Sequence, residues 1–80
     1  MNQTAKKIEE LSIVSLTVDE DSLTATISDG RRVSIPVAWF PRLESATLDQ
    51  LKHFEISPSG YGIHWPDVDE DISIKAFINP

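Results

Sequence analysis

Apolar and polar residues alternate along the first part of the chain. Residues 12–18 carry apolar side chains at every second position, namely Val14, Leu16 and Val18. Residues 22–28 repeat this period of two with Leu23, Ala25 and Ile27. A period of two is typical of strands that bury one face. The pattern therefore predicts two half-buried strands, joined by an acidic turn at residues 19–21.

The dipeptide Asp29-Gly30 follows the second of these strands. It is one of the strongest hairpin signals, because both central positions of a type I′ turn need a positive φ. Val33 and Ile35 then continue the alternation over residues 31–35. We expect a third strand here, which completes an antiparallel meander and ends at Pro36 because proline lacks the N–H group that a sheet interior needs.

Helical signals occupy the middle of the chain. Residues 37–43 are interrupted by Pro41, and we expect a turn or a short helical piece there rather than a strand. Thr47 and Gln50 have the spacing of a capping box, in which each side chain bonds the backbone N–H of the other residue. This spacing predicts a short helix over residues 48–53.

A second hairpin is predicted beyond that helix. Residues 54–57 and 61–65 both alternate, and the turn formers Pro58-Ser59-Gly60 separate them. In the second segment Tyr61, Ile63 and Trp65 alternate with Gly62 and His64, which predicts a fifth strand paired with the fourth. After an acidic stretch, Ile74, Phe77 and Ile78 have helical spacing and predict a last helix, capped by Asp71 or Ser73.

These elements predict an α+β fold: a small antiparallel sheet, made of a three-strand meander plus a second hairpin, with two or three short helices. A chain of 80 residues has room for one core and therefore one domain. We place that domain at residues 12–80. Residues 1–11 form an N-terminal segment that we expect to be partly ordered at most, with Ile8 and Leu11 spaced for one helical turn.

Charge and cysteine usage narrow the classes of function. The net charge of −6 disfavours binding to nucleic acid or to an anionic membrane surface, because both carry negative phosphate groups. The absence of cysteine removes disulfides and thiolate metal sites, and it favours a reducing compartment. No apolar run is long enough for a signal peptide or a membrane helix. We therefore expect a soluble, cytoplasmic protein.

Two longer segments resemble a known bacterial family. Residues 28–31 and 35–43 are similar to the central signature of domain-of-unknown-function family 2442, and residues 60–73 are similar to its C-terminal signature. The resemblance extends over residues 13–78. It implies a bacterial α+β domain, and it implies a neighbouring gene, because some similar proteins are encoded beside short genes of toxin–antitoxin character. It implies no catalytic residues.

The best candidate for a binding site is the segment that contains Trp39, Phe40 and Arg42. Tryptophan and arginine are enriched where proteins bind each other, and irregular segments carry binding groups more often than strands do. One of the two aromatic residues is expected to fill the core and the other to be at least partly exposed. The alternative for Arg42 is an ion pair with a nearby acid, Glu44, in place of a role in binding.

A second candidate is a divalent-metal site. Four potential ligands lie close together in the sequence: His64, Asp67, Asp69 and Asp71. Oxygen ligands at alternating positions suit magnesium or calcium, but the glycine and the flanking helix of an EF-hand are missing. The competing interpretation is that these carboxylates precede the last helix, where they would stabilise its positive end.

No catalytic constellation is found. The chain has no nucleophile elbow and no phosphate-binding loop, and we assign no catalytic residue and no cofactor. Arg31 and Arg32 point to opposite faces of a strand and form no basic patch. The leading hypothesis is a non-enzymatic, antitoxin-like interaction module that binds another small protein, encoded nearby. The alternatives are a metal-binding domain or metal-dependent enzyme built on His64, and a homo-oligomer that forms through a sheet edge.

Overall fold

The fold consists of two antiparallel sheets and three short α-helices. The structure is a computed structural model, and it describes residues 11–78. The first sheet contains β1 (Ile13–Val18), β2 (Ser22–Ile27) and β3 (Arg32–Pro36) in that order. The second contains β4 (Glu55–Ile56), β5 (Gly62–Trp65) and β6 (Glu70–Ser73). The helices are α1 (Pro41–Glu44), α2 (Leu48–Lys52) and α3 (Lys75–Ile78). The predicted α+β class and the meander are confirmed.

The meander forms because its buried side chains share one face. Leu23, Ala25 and Ile27 of β2 are all buried, as the alternation predicts. The first turn is closed by Asp19, whose carboxylate accepts the N–H groups of Asp21 and Ser22, each at 2.8 Å. These two bonds stabilise the ionised acid and lower the pKa of Asp19.

The predicted facing of β1 is wrong at one position. The register with β2 shifts between Ile13 and Ser15, which marks a β-bulge. Because the bulge inserts one residue, Ile13 turns into the core and Val14 turns outward, where it is 62% exposed. Leu16 and Val18 remain buried, as expected. The alternation alone cannot show where an extra residue interrupts the pairing.

The predicted type I′ turn is also wrong. Gly30 has a φ of 99°, but Asp69 is the only non-glycine residue with positive φ in the described chain, so Asp29 lacks the positive φ that a type I′ turn needs. Ile27 accepts the N–H of Gly30 and donates its own N–H to Arg31, which closes a three-residue loop. The glycine is still required, at a different position of the loop. Asp29 forms an ion pair with Arg31 at 2.7 Å.

The second sheet has one strand more than the sequence predicts. Glu70–Ser73 forms β6, which pairs with β5 so that Ile63 faces Ile72. The acidic stretch therefore ends in a strand, and its carboxylates do not serve as caps before the last helix. The Oγ atom of Ser73 accepts the N–H of Lys75 at 3.2 Å, which makes Ser73, not Asp71, the residue that supports α3.

The core between the two sheets is centred on Trp65, whose side chain is fully buried. Its indole N–H donates to the carbonyl of Leu51 in α2 at 2.9 Å, so the one polar atom of the ring has a partner. The ring of Phe54 lies against it with the centroids 6.3 Å apart. Helix α2 begins with the predicted capping box, in which Thr47 and Gln50 bond each other's backbone.

No helix within residues 11–78 is long and apolar enough to cross a membrane.

The two sheets meet at Gly60. The N–H of Ile13, at the start of β1, donates to the Gly60 carbonyl at 2.7 Å. The bond from the N–H of Ile74 to the Tyr61 carbonyl, also 2.7 Å long, extends the pairing of β5 with β6. Gly60 has a φ of 73°, and an added Cβ atom would lie 2.6 Å from the Cβ of Ser12. Tyr61, which the sequence places at the start of the fifth strand, lies in the turn before β5 begins and is 45% exposed.

We expect Gly60→Ala to lower the free energy of unfolding by about 3 kcal/mol, because it combines an unfavourable φ with a steric clash. Gly30→Ala is the matched control, since Gly30 also has positive φ but has no atom within 4 Å of an added Cβ. Its cost should be about 1 kcal/mol. Urea unfolding of both variants measures the difference. Equal costs would contradict the close contact at Gly60.

Candidate functional site

The segment after β3 forms a rigid turn that displays Trp39. Residues Val37–Trp39 adopt one turn of 3₁₀-helix, which is held by a bond from the N–H of Val37 to the Asp21 carbonyl at 2.9 Å. The N–H of Phe40 donates to the Val37 carbonyl at 3.0 Å. In a 3₁₀ turn, residues three apart lie on the same side. Val37 is buried and Phe40 packs against the core, so Trp39 between them faces outward and is 51% exposed.

Arg42 is tied to the other half of the molecule. It lies in the first turn of α1, where Pro41 occupies a favourable first position and Leu43 is fully buried. An Nη atom of Arg42 donates to the carbonyl of Asp69 at 2.6 Å. Within residues 11–78, Arg42 and Glu44 form no ion pair. We call the surface formed by Trp39, Phe40 and Arg42 the Trp39 surface.

The four potential metal ligands are not brought together. His64 and Asp71 face each other on β5 and β6, and the His64 Nδ1 atom lies 2.8 Å from Asp71 Oδ1. Asp67 turns away towards α2, and Asp69, with a φ of 54°, offers its carbonyl to Arg42. In the part of the chain that the structure describes, no three histidine, aspartate or glutamate side chains are placed to hold a metal ion.

Asp67 instead pairs with His53, a residue that the sequence analysis did not single out. The Nδ1 atom of His53, which follows α2, lies 2.9 Å from Asp67 Oδ2. The hydrogen bond that His53 donates to Asp67 raises the pKa of His53, and the charges of Asp67 and Glu55 add to that effect against an opposing cost of burial. The two residues are 14 positions apart on separate elements, so no sequence pattern could have paired them.

The open face of the second sheet carries a groove that the sequence analysis also missed. Glu55, His64 and Asp71 are neighbours across β4, β5 and β6 and form one row on that face. The groove has a volume of about 690 Å³, and Ser57, Tyr61 and Ser73 also line it. The row exists only because β6 is a strand, and the sequence analysis did not predict that strand.

Comparison with known proteins identifies the family. The sequence model of a family described as "Protein of unknown function (DUF2442)" matches residues 13–80. The chain belongs to the DUF2442 family. A search of the curated proteins finds no match. The family resemblance expected from the two signature segments is thus confirmed.

Two solved structures resemble this DUF2442 chain. One is the crystal structure of a protein of unknown function from Rhodospirillum rubrum, with 27% identity, a TM-score of 0.75 and coverage of 86% of both chains. The other is the solution NMR structure of an uncharacterised protein from Chromobacterium violaceum, with 24% identity and a TM-score of 0.70. That match covers 85% of this chain and 64% of the other. These likenesses concern the fold and bring no activity with them.

We expect the His53–Asp67 pair to make the stability of this DUF2442 protein depend on pH. Because folding raises the pKa of His53, the stabilising contribution is complete below the usual histidine pKa of about 6.5 and is lost as the pH rises through the folded value. The protein should therefore melt at a higher temperature near pH 6 than near pH 8. His53→Gln and Asp67→Asn should each reduce that difference. Thermal unfolding with an unchanged difference in both variants would refute the assignment.

Proposed function

We propose that this DUF2442 protein is a non-enzymatic, antitoxin-like interaction module that binds another small protein, encoded nearby, in the cytoplasm of a bacterium. The observation that carries the proposal is the exposure of Trp39. The chain has two tryptophans, and one of them, Trp65, is completely buried in the core. The other is half exposed on an anchored turn. An exposed tryptophan of this kind is the residue type most enriched among binding hot spots.

The anchoring of the turn favours binding. Val37 and Phe40 hold the backbone on both sides of Trp39, and the bond from Arg42 to Asp69 fixes the neighbouring side chain. A group that is ordered before binding loses less conformational entropy when a partner covers it. The indole ring also offers a large apolar area together with one N–H donor, which suits a contact with both apolar and polar parts.

The charge of the chain indicates the kind of partner. A net charge of −6 accelerates association with a basic protein, most strongly at low salt. A basic toxin that acts on RNA would fit this description, because its substrate is also an anion. The absence of cysteine supports the cytoplasmic location.

We expect Trp39→Ala to weaken binding to the partner at least about 30-fold, which corresponds to the loss of a hot spot of about 2 kcal/mol. The partner is first captured with the tagged protein from its own host at low salt, and its affinity is then measured with both proteins purified. Arg42→Ala should also weaken binding.

Tyr61→Ala is the matched control, because Tyr61 is an aromatic residue that is 45% exposed but lies away from the Trp39 surface, in the turn between β4 and β5. This variant should bind as tightly as the unaltered protein. If a stoichiometric partner binds Trp39→Ala and Arg42→Ala with unchanged affinity, the Trp39 surface is not the binding site. If the host yields no stoichiometric partner, the interaction-module assignment fails.

A further inference from the structure

β1 is an edge strand whose outer backbone groups can be identified from the hydrogen bonds of its neighbours. Backbone groups in an antiparallel sheet point alternately to the two sides of a strand. The N–H of Asp19 donates to Ser22 at 3.1 Å, and Thr17 and Ser15 follow at two-residue intervals, so they face β2. The N–H and C=O groups of Leu16 and Val18 must therefore point away from the sheet.

The hydrogen bonds between β2 and β3 also indicate that Leu16 and Val18 point away from the sheet. The N–H of Ile27 donates to Arg31 on the side of β3, so Ala25 and Leu23 also bond towards β3. Thr24 and Thr26 consequently bond towards β1, where their register partners are Thr17 and Ser15. Within residues 11–78, no backbone bond outside the sheet involves Leu16 or Val18.

β1 lacks the features that protect the other sheet edges. β3 carries Arg32 and ends at Pro36, β4 has two residues, and β6 carries Glu70 and Asp71. Charge, proline and short length all discourage pairing with another strand. β1 is six residues of Ile, Val, Leu, Ser and Thr without a charge or a proline, and its bulge and the bond from the N–H of Ile13 to Gly60 limit pairing only at its start. Such an edge is a template for a further strand.

We propose that β1 pairs antiparallel with β1 of a second copy of this chain, about a two-fold axis at Thr17. In this register Leu16 of each copy faces Val18 of the other. The N–H and C=O groups of these two residues in one copy bond those of the other copy, which makes four hydrogen bonds in total. Thr17 faces Thr17, a cross-strand pair that is favourable in sheets. The product is one continuous six-stranded sheet with β3 at both ends.

The absence of charge along β1 favours a second copy over a charged partner at this edge. Two chains of net charge −6 repel each other over most of their surface, and β1 is a segment where they can approach without facing like charges. In the proposed register Ser15 faces Asp19, so no acid faces an acid along the paired residues. A basic partner, by contrast, would find no charge on β1 to attract it.

This self-association goes beyond the proposed function and uses a different surface. β1 and β3 are the opposite edges of the first sheet, and the Trp39 surface follows β3. Variants of Thr17 therefore test the dimer, and variants of Trp39 test the partner. Failure of one leaves the other standing.

The first experiment is sedimentation over a concentration series. The unaltered protein should dimerise, and Thr17→Lys, which places two ammonium groups opposite each other, should raise the dimer dissociation constant at least about tenfold. Thr17→Glu should act alike, and an equimolar mixture of the two variants should dimerise again. Ser15→Lys is the matched control, since it adds the same charge to the same face but opposite Asp19, and it should remain dimeric. Circular dichroism checks that each variant is folded.

The second experiment uses the absence of cysteine from the chain. Facing residues that do not exchange backbone bonds have Cα atoms about 4.5 Å apart, which suits a disulfide. Thr17→Cys should therefore form a disulfide-linked dimer under mild oxidation. In Ser15→Cys the two sulfur-bearing residues would be four positions out of register, about 14 Å apart, and should not be linked. A monomeric unaltered protein, a dimer that survives Thr17→Lys, or equal rates of linkage in the two cysteine variants would each overturn the proposal.

Discussion

The backbone contact between Ile13 and Gly60 is the constraint on which the arrangement of the two sheets depends. It joins the start of β1 to the turn before β5 through one short hydrogen bond, and it leaves no space for a side chain at Gly60. The bulge in β1 lies at the same place. Because Ile13 bonds sideways to Gly60 and also fills the core, the strand needs an extra residue to restore its register with β2. Val14 is turned outward as a result.

The contact between the two sheets also determines where the Trp39 surface and the edge of β1 lie. With the sheets joined at Gly60, the turn that carries Trp39 lies between the end of the first sheet and the helices that lead to the second. Arg42 bridges from α1 to the turn between β5 and β6. The outer edge of β1 beyond this contact, from Leu16 to Val18, lies at one side of the first sheet. The Trp39 surface and the outer edge of β1 therefore lie at different places on the molecule.

The histidine–carboxylate pairs and the turn around Trp39 are held by different kinds of contact. Both histidines pair with a carboxylate, His64 with Asp71 and His53 with Asp67, and each pair lies at the surface. A histidine–carboxylate pair on an exposed sheet face is held weakly, because water screens the charges. By contrast, the turn around Trp39 is held by buried side chains and backbone bonds, which are the stronger constraints available in a core this small.

Local physics explains what could be read from the residues alone. The capping box of Thr47 and Gln50, the burial of Leu23, Ala25 and Ile27, and the short helical turns at residues 37–44 depend on neighbours within a few positions, and all were predicted. So was the outward display of one aromatic side chain in the Trp39 segment. The family signatures in residues 28–43 and 60–73 were equally visible. These features require no knowledge of how distant segments meet.

The tertiary structure decided whatever depends on contacts between distant segments. The bulge at Ile13 accompanies the backbone bond from Ile13 to Gly60. β6 forms because its residues pair with the edge of β5, although their acidic sequence by itself indicates a loop. The pairing of β5 with β6 also separates the four suspected metal ligands: His64 contacts Asp71, whereas Asp67 contacts His53. Acidic residues that are neighbours in the sequence bring their carboxylates together only if the backbone directs those side chains to the same face. A strand reverses that facing at each residue, and a turn redirects it altogether.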